Sequence, residues 1–348
     1  MLLARSGTRV RAYTTRETSY RPKRQYTTGQ KRILVTGCMG QIGSELVPAL
    51  RNIHGHDNVF ATDIFSRGVD DEGPFEYLDI LDKTSLDRTI VNKNINTIIH
   101  LSGVLSAKGE TDIHAGMAVN IRGMENIMLA SVKHKCSLFA PSSIAAFGPS
   151  SPLVDTPNEC FMRPTTIYGI AKVYTENMGE YWHKKVGLDF RCLRYPGIIS
   201  HKTQPGGGTT DWAVAIYHGA VTQQHYNCFL SPNLSLPMMY MPDCLKATLD
   251  LLAAPRKSLS TCVYNVTALS LAPKHVEEEI KKHYPNFSVK YNPDFREGIA
   301  KEWPRSLDDS VARRDWGWNH SYGVDTLTTD MLDNLKVHYQ NNPAPENL

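Results

Sequence analysis

Arg32 to Gly43, R-I-L-V-T-G-C-M-G-Q-I-G, constrains this chain more than any other stretch. A β-branched apolar run, Ile33-Leu34-Val35-Thr36, stops at Gly37. Glycines return at Gly40 and Gly43, and Ser44 to Leu50 then reads as a helix. A strand that turns on glycine into a helix aims free N–H groups and the positive helix end at one point, where a dinucleotide pyrophosphate can sit. Gly37 permits the tight turn, Gly40 lets backbone approach phosphate, and Gly43 lets the helix pack on the strand. Pro48, early in the helix, allows a local distortion. An ordinary glycine-rich turn would show the same triplet, so the rest of the chain has to decide.

The pattern downstream alternates strand and helix. Asn58 to Thr62 reads as a second strand ending at Asp63, and Phe75 to Leu78 as a third. Thr84 to Val91 is helical, and Asn96 to Leu101 is a buried strand that breaks into Ser102-Gly103. A long helix is expected over 113–135, a strand at Ser137 to Ala140 running into Pro141-Ser142-Ser143, a second long helix over 165–185, and a strand at Phe190 to Arg194. Such alternation predicts an α/β fold, a Rossmann-type doubly wound parallel sheet covered on both faces, with ligands beyond the carboxyl ends of its strands. From His201 the pattern changes. Gln204 to Thr210 is a glycine-rich loop, and the segments after it read as shorter and less regular. The expected division is a cofactor domain at 31–200 with return segments near 241–268, where Val263 to Val266 rejoins the sheet. A smaller C-terminal substrate-binding lobe takes 201–240 and 270–345.

Charge is uneven. The net charge of the 348 residues is +3, but residues 1–32 hold seven Arg, two Lys and one acid, Glu17. The folded body is therefore mildly acidic, and its charge gives no support to a nucleic-acid role. No apolar run approaches the roughly 20 residues that span a bilayer. The first 30 residues are Arg-rich, hydroxyl-rich and almost free of acid, the composition of a mitochondrial transit peptide, although a disordered basic tail would share it. Seven scattered cysteines without C-x-x-C spacing read as reduced, mostly buried thiols. The 13 histidines show no metal-ligand spacing, so no metal is expected.

Three side chains carry a chemistry. Tyr168 and Lys172, four apart in Y-G-I-A-K, share a helix face about 6 Å apart along the axis. The same spacing recurs at Tyr181 and Lys185, so spacing alone is weak. Context separates the two pairs: Ser143 stands at the mouth of a predicted strand, 25 residues before Tyr168. Oxidising an alcohol sends a hydride to a nicotinamide and a proton to a base. A tyrosine, with an ordinary pKa of about 10, needs about 4 kcal/mol of help to act as that base near pH 7. A neighbouring ammonium supplies such help by favouring phenolate, and a serine hydroxyl can hold the alcohol in line. Asp63, at the end of the second strand, can bond both hydroxyls of an adenosine ribose, which predicts NAD over NADP, although Arg67 lies close by and a turn-capping role would also suit it.

Together these residues resemble the short-chain dehydrogenase/reductase superfamily in its extended branch, over essentially residues 31–320. The longer strings G-Q-I-G (Gly40 to Gly43), T-I-Y-G-I-A-K (Thr166 to Lys172), G-L-D-F-R-C-L-R-Y-P-G-I-I-S (Gly187 to Ser200), Q-P-G-G-G-T-T-D (Gln204 to Asp211) and L-P-M-M-Y (Leu236 to Tyr240) are similar to the L-threonine 3-dehydrogenases of that branch. The resemblance implies NAD-dependent oxidation of L-threonine to 2-amino-3-oxobutanoate without a metal, in threonine catabolism toward glycine in the mitochondrial matrix. It implies Tyr168 as base, Ser143 as the hydroxyl-holding residue, Lys172 as electrostatic partner and Asn120 on a proton relay. Gly37, Gly40, Gln41, Ile42, Gly43, Asp63, Asp79, Ile80, Leu101, Ser102, Gly103, Asn120, Tyr168, Lys172, Tyr195 and Ile198 would hold the cofactor. Ser106, Ser143, Tyr168, Gly207, Thr209, Thr210, Asp211 and Trp303 would form the substrate pocket. Thr210 and Asp211 also suit a helix N-cap, and Trp303 also suits a core. Members of the branch usually form homodimers through the two long helices near 113–135 and 165–185. The nearest rival function is a nucleotide-sugar epimerase on the same scaffold. Dehydratases of the branch carry Asp-Glu after the catalytic hydroxyl, where this chain has Ile144-Ala145. A non-catalytic NAD-binding protein would not need Ser143, Tyr168 and Lys172 together.

Overall fold

Ile33–Thr36 (β1) is buried at all four positions, as a strand covered on both faces must be. The computed structural model describes residues 30–65, 73–206 and 208–342. Residues 1–29 of the expected transit segment, Arg67 and Gly207 lie outside the described residues. Lys31–Leu348 forms one compact unit that contains the helices and strands of the described residues.

After β1 come α1 (Gly43–His54), β2 (Val59–Asp63), β3 (Phe75–Tyr77), α2 (Lys83–Asn92) and β4 (Thr97–His100). Next are α3 (Ser106–Thr111), α4 (Ile113–Met117), a π turn (Ala118–Gly123), α5 (Met124–His134), β5 (Ser137–Phe139), β6 (Ser142–Ser143), α6 (Ile167–Val186), β7 (Phe190–Tyr195) and β8 (Gly197–Ile199). The remainder holds α7 (Trp212–Thr222), β9 (His225–Cys228), β10 (Leu236–Tyr240), α8 (Met241–Ala253), β11 (Val263–Asn265), β12 (Leu269–Leu271), α9 (Pro273–Lys281), β13 (Ser288–Tyr291), α10 (Phe295–Lys301), α11 (Ser310–Trp316) and α12 (Val324–Asn341).

Among the described residues, eight strands form one sheet in the order β11-β7-β5-β4-β1-β2-β3, with β6 paired to β7. Every pairing in it is parallel. The winding runs outward from β1 to β3 on one side and from β4 through β5 to β7 on the other. The reversal therefore falls between β1 and β4, and their carboxyl ends open a crevice there. Side chains alternate across the sheet with period two. Ile33 and Val35 pack with Leu46, Val47 and Leu50 of α1 and Cys244, Ala247 and Leu251 of α8. Leu34 points the other way, into Leu86 and Ile90 of α2 and Met124, Ile127 and Met128 of α5.

A third apolar cluster joins Trp212, Ile216 and Tyr217 of α7, Val276 and Ile280 of α9, and Leu327, Met331 and Leu335 of α12 to Ile144 and Phe147 beside the main sheet. Two small sheets, β12-β10-β8 and β13-β9, lie in this part of the chain. Helices here are longer than the sequence analysis expected. In α12 the apolar residues Leu327, Met331 and Leu335 recur every four positions, a helical stripe interrupted by threonines and acids that lower its mean hydropathy. The helix expected over 113–135 is divided by the π turn, and Lys135 adopts a left-handed cap (φ 57°) rather than helix. No helix among the described residues is long and apolar enough to cross a membrane.

Candidate active site

The crevice between β1 and β4 opens into a cavity of about 290 Å3. Its floor at one end is the glycine turn. Gly37 has φ 72°, a conformation that costs other residues about 1 kcal/mol or more. A Cβ on Gly43 would lie 2.3 Å from the Gly37 carbonyl oxygen, so only glycine lets α1 start this close to the turn. No side chain caps the first turn of α1. The Ser44 and Glu45 N–H groups bond back to the Gly40 and Ile42 carbonyls, at 2.9 and 3.2 Å, so what suits an anion is the positive end of the helix, with Gly40 exposed beside it.

Gly37, Gly40, Gln41, Ile42, Gly43, Leu101, Gly103, Tyr195 and Ile198 all line this cavity. Gln41 is anchored, its amide donating to the Ile198 carbonyl at 3.2 Å. Tyr195 contributes no free phenol, because its hydroxyl is buried against the Thr248 hydroxyl, and burial holds it neutral. Asp63 stands outside the cavity at the end of β2. One carboxylate oxygen accepts from the Met39 N–H of the glycine turn at 2.9 Å, and the other from Ile64 N–H at 2.8 Å. It thus caps its own turn and braces the glycine turn with the same carboxylate. Asp79 and Ile80 also lie off the cavity wall. Ile80 is buried under α5, where its carbonyl accepts from Asn126 at 2.9 Å.

The other end of the cavity is built by β6, α6 and the loop before α7. Thr166 caps α6 by accepting from the Gly169 N–H at 3.1 Å. A Cβ at Gly169 would fall 2.1 Å from the Ala145 carbonyl oxygen. This glycine therefore lets the first turn of α6 touch the short turn Ile144–Ala146 that follows Ser143. Ser143 and Tyr168 are brought to the same cavity by that contact, and Lys172 follows one helical turn on. The Lys172 ammonium donates to the Pro141 carbonyl at 2.7 Å and lies 5.2 Å from the centre of the Tyr168 ring. The Ser143 hydroxyl accepts from the Ala145 N–H at 3.2 Å, which points it back over its own turn. Tyr181, the rival tyrosine, is 48% exposed and stacks edge-on with Trp182.

Asn120 sits in the π turn, a local widening that turns its side chain off the helical register. Its amide oxygen accepts from the Val104 N–H at 2.8 Å and its amide nitrogen donates to the Val104 carbonyl at 2.9 Å. The asparagine thereby holds the loop after β4 in place. It also faces a smaller cavity with Ser102, Lys172 and His100. Burial first, and the Lys172 ammonium second, push the His100 imidazole from its ordinary 6.5 down to about 3, so it stays neutral. His100 bonds the Thr36 hydroxyl at 2.8 Å.

Ser106, Thr209, Thr210, Asp211 and Trp303 complete the wall. The Ser106 and Thr209 hydroxyls are 3.1 Å apart. Asp211 precedes α7 but does not cap it with its side chain. Its carboxylate instead accepts from the Gly206 and Gly208 N–H groups, at 2.7 and 2.8 Å. Trp303 is buried in the third apolar cluster and also lines the cavity. Leu105, Pro141, Ser142, Ile144, Pro196, Gly197 and Gly208 also line it and were missed from sequence. Pro196 and Gly197 fall within a string already quoted, between Tyr195 and Ile198, so adjacency was the available signal.

Comparison with known proteins gives a consistent set. The family model described as NAD dependent epimerase/dehydratase family matches residues 33–267. A curated relative, the mitochondrial L-threonine 3-dehydrogenase of Bos taurus, is 49% identical over 307 residues, 87% of this chain and 82% of its own length. The crystal structure of L-threonine dehydrogenase from Phytophthora infestans is 47% identical with a TM-score of 0.87, covering 88% of this chain and all of that one. A monomeric L-threonine 3-dehydrogenase from a metagenome is 41% identical with a TM-score of 0.85, covering 88% of this chain and 99% of that one.

Proposed function

The chain belongs to the NAD dependent epimerase/dehydratase family, within it to the L-threonine 3-dehydrogenases, and on that premise we propose that it oxidises L-threonine to L-2-amino-3-oxobutanoate with NAD, using Tyr168 as the general base. The observation that carries this reading is the meeting of two things in one cavity: a glycine turn fit for a pyrophosphate, and Ser143, Tyr168 and Lys172 at the opposite end.

The residues present suit the dinucleotide. The positive end of α1 and the exposed Gly40 leave space and a favourable field for phosphate, and the Asp63 carboxylate stands where a ribose would need an acceptor. NAD bound there would supply the acceptor for the hydride that leaves the carbinol carbon of threonine. The protein's own residues handle the remaining proton. Tyr168 takes it from the substrate hydroxyl as the carbonyl forms. Ser143 turns its hydroxyl from the Ala145 N–H to the substrate oxygen and holds it in line. Lys172 places a positive charge 5.2 Å from the centre of the Tyr168 ring, as the electrostatic partner of the base. Thr209, Thr210 and Asp211 offer polar groups to the ammonium and carboxylate of the amino acid. The division into a cofactor domain (31–200, with 241–268) and a substrate lobe (201–240 and 270–345) is part of the same proposal.

The deciding assay is absorbance growth from NADH with L-threonine in the presence of a chelator. No turnover, or turnover abolished by chelation, refutes the reading. Calorimetric binding of UDP-sugars would favour the epimerase alternative. We further propose a mitochondrial matrix location, supported by the composition of residues 1–30 and by the mitochondrial relatives. A homodimer through α4–α5 and α6 is supported by the exposed apolar side chains Ile113, Met117, Leu129 and Ile170. Sedimentation checks the last point, since one similar structure is described as monomeric.

A further inference from the structure

Beside the segment that carries Ser143 lies a buried ion pair that the proposed chemistry does not use. Glu176 is on α6, one turn beyond Lys172 and on the same face, and Arg194 is on β7. Both side chains are almost wholly buried, 3% and 4% exposed. The pair is bidentate: Arg194 Nε donates to Glu176 Oε1 at 2.9 Å and Arg194 Nη2 to Oε2 at 2.8 Å. Burial works against the charge on Arg194, but the Glu176 carboxylate outweighs it and holds the guanidinium protonated. A buried pair of this kind adds little net stability compared with apolar packing, so its retention calls for another account.

Its contacts supply one. Glu176 Oε1 also accepts from the Ser142 hydroxyl. Ser142 is the residue before Ser143 on β6, and the residue before it, Pro141, gives its carbonyl to Lys172 at 2.7 Å. The segment that carries Ser143 is therefore tied to α6 at two consecutive positions, and α6 is the helix that carries Tyr168 and Lys172. On its other side Arg194 Nη1 donates to the Asn158 carbonyl at 2.6 Å and to Asn265 Oδ1 at 3.0 Å. We infer that Glu176, clamped by Arg194, is a positioning residue: through the Ser142 hydroxyl it sets the Ser143 oxygen against the Tyr168 phenol. Neither Glu176 nor Ser142 takes a proton or touches the reacting atoms in this role. The inference rests on the proposed threonine oxidation.

The test is steady-state kinetics of the full chain and of Ser142→Ala, with L-threonine and its 3-deuterated form as substrates. Ser142→Ala removes one bond and leaves the ion pair whole. A misplacement of a reacting group by about 1 Å can cost up to ~10²-fold. We expect kcat to fall about tenfold, the KM for NAD to stay within twofold, and the deuterium isotope effect on kcat to rise as hydride transfer becomes rate-limiting. Ser142→Thr, which keeps the hydroxyl, restores at least half of kcat. Glu176→Gln shows the same pattern if it folds, and Ser142→Ala decides the matter if it does not. The inference is overturned if Ser142→Ala keeps kcat within twofold with an unchanged isotope effect, or if Ser142→Thr is as slow as Ser142→Ala. Absence of threonine turnover in the unmodified protein would instead refute the functional reading.

Discussion

Gly43 and Gly40 sit in one motif, yet alanine at each should fail in a different way. At Gly43 an added Cβ would meet the Gly37 carbonyl oxygen at 2.3 Å, Cys38 Cα at 2.7 Å and the Cys38 carbonyl carbon at 2.9 Å. All three atoms are backbone, so no rotamer change relieves them. Ordinary contact begins near 3.4 Å, and α1 must therefore withdraw by about 1 Å at its start. Leu46, Val47 and Leu50, which are buried against β1, would each open a gap of that order. A gap of 0.5–1 Å forfeits roughly a quarter to a half of a dispersion well. Three side chains worth about 1.5–3 kcal/mol each then lose about 2–3 kcal/mol together, within the usual range for overpacking. In a chain of this size that is a Tm drop of roughly 3–4 °C. At Gly40 the added Cβ would meet the Gly37 oxygen at 3.4 Å, and the residue is exposed. Gly40→Ala should keep Tm within about 1–2 °C, since Gly→Ala at an unstrained site is neutral or slightly stabilising. Its methyl intrudes where phosphate would approach, so NAD affinity should fall roughly 10–100-fold, a loss of about 1.4–2.8 kcal/mol. Thermal unfolding and NAD calorimetry on both variants measure the split. Equal losses of stability, or unchanged NAD binding by Gly40→Ala, would refute the reasoning.

Other substitutions test the remaining parts. Tyr168→Phe should lower kcat by about 10²–10⁴-fold, the usual contribution of a positioned base, while NAD still binds by calorimetry; retained turnover would move the base elsewhere. Asp63→Ala should weaken NAD by about tenfold and narrow the preference over NADP in a paired KM comparison. It also removes the brace on Met39 N–H, so Tm should drop slightly. The His100 imidazole is held down at about 3, first by burial and then by Lys172, against 6.5 when unfolded. Between those values the unfolded state binds more protons, so this group's contribution to stability is present above about pH 6.5 and is lost as pH falls toward 3. Denaturant titrations from pH 7 to 4 should therefore show a shallower loss of stability in His100→Asn than in the parent. Parallel slopes would show that His100 takes up no proton on unfolding.

The local part of this protein was legible because it is written in short-range periodicities. The apolar run ending at Gly37 dictates a strand and a turn, since only glycine accepts φ 72° there without strain. The four-residue step from Tyr168 to Lys172 puts both on one helix face whatever packs against them. Alternation of strands and helices implied parallel pairing, which holds throughout the main sheet. Asn120 illustrates the limit. Its place on a helix was readable, but the π turn around it, and the spending of its whole amide on Val104, depend on how the loop after β4 is packed.

Asp211 shows the same boundary: its sequence suits a helix N-cap, yet the carboxylate turns back onto Gly206 and Gly208. Glu176 and Arg194 carry no local signal of their role: nothing in the neighbouring sequence pairs them across 18 residues or links them to Ser142. What the chain determined alone were conformations set by φ/ψ limits and helix or strand repeat, which need only neighbouring residues. What the tertiary structure decided were the partners of buried polar groups. Desolvation obliges those groups to find one another, and which partner is within reach is known only once the strand order has formed.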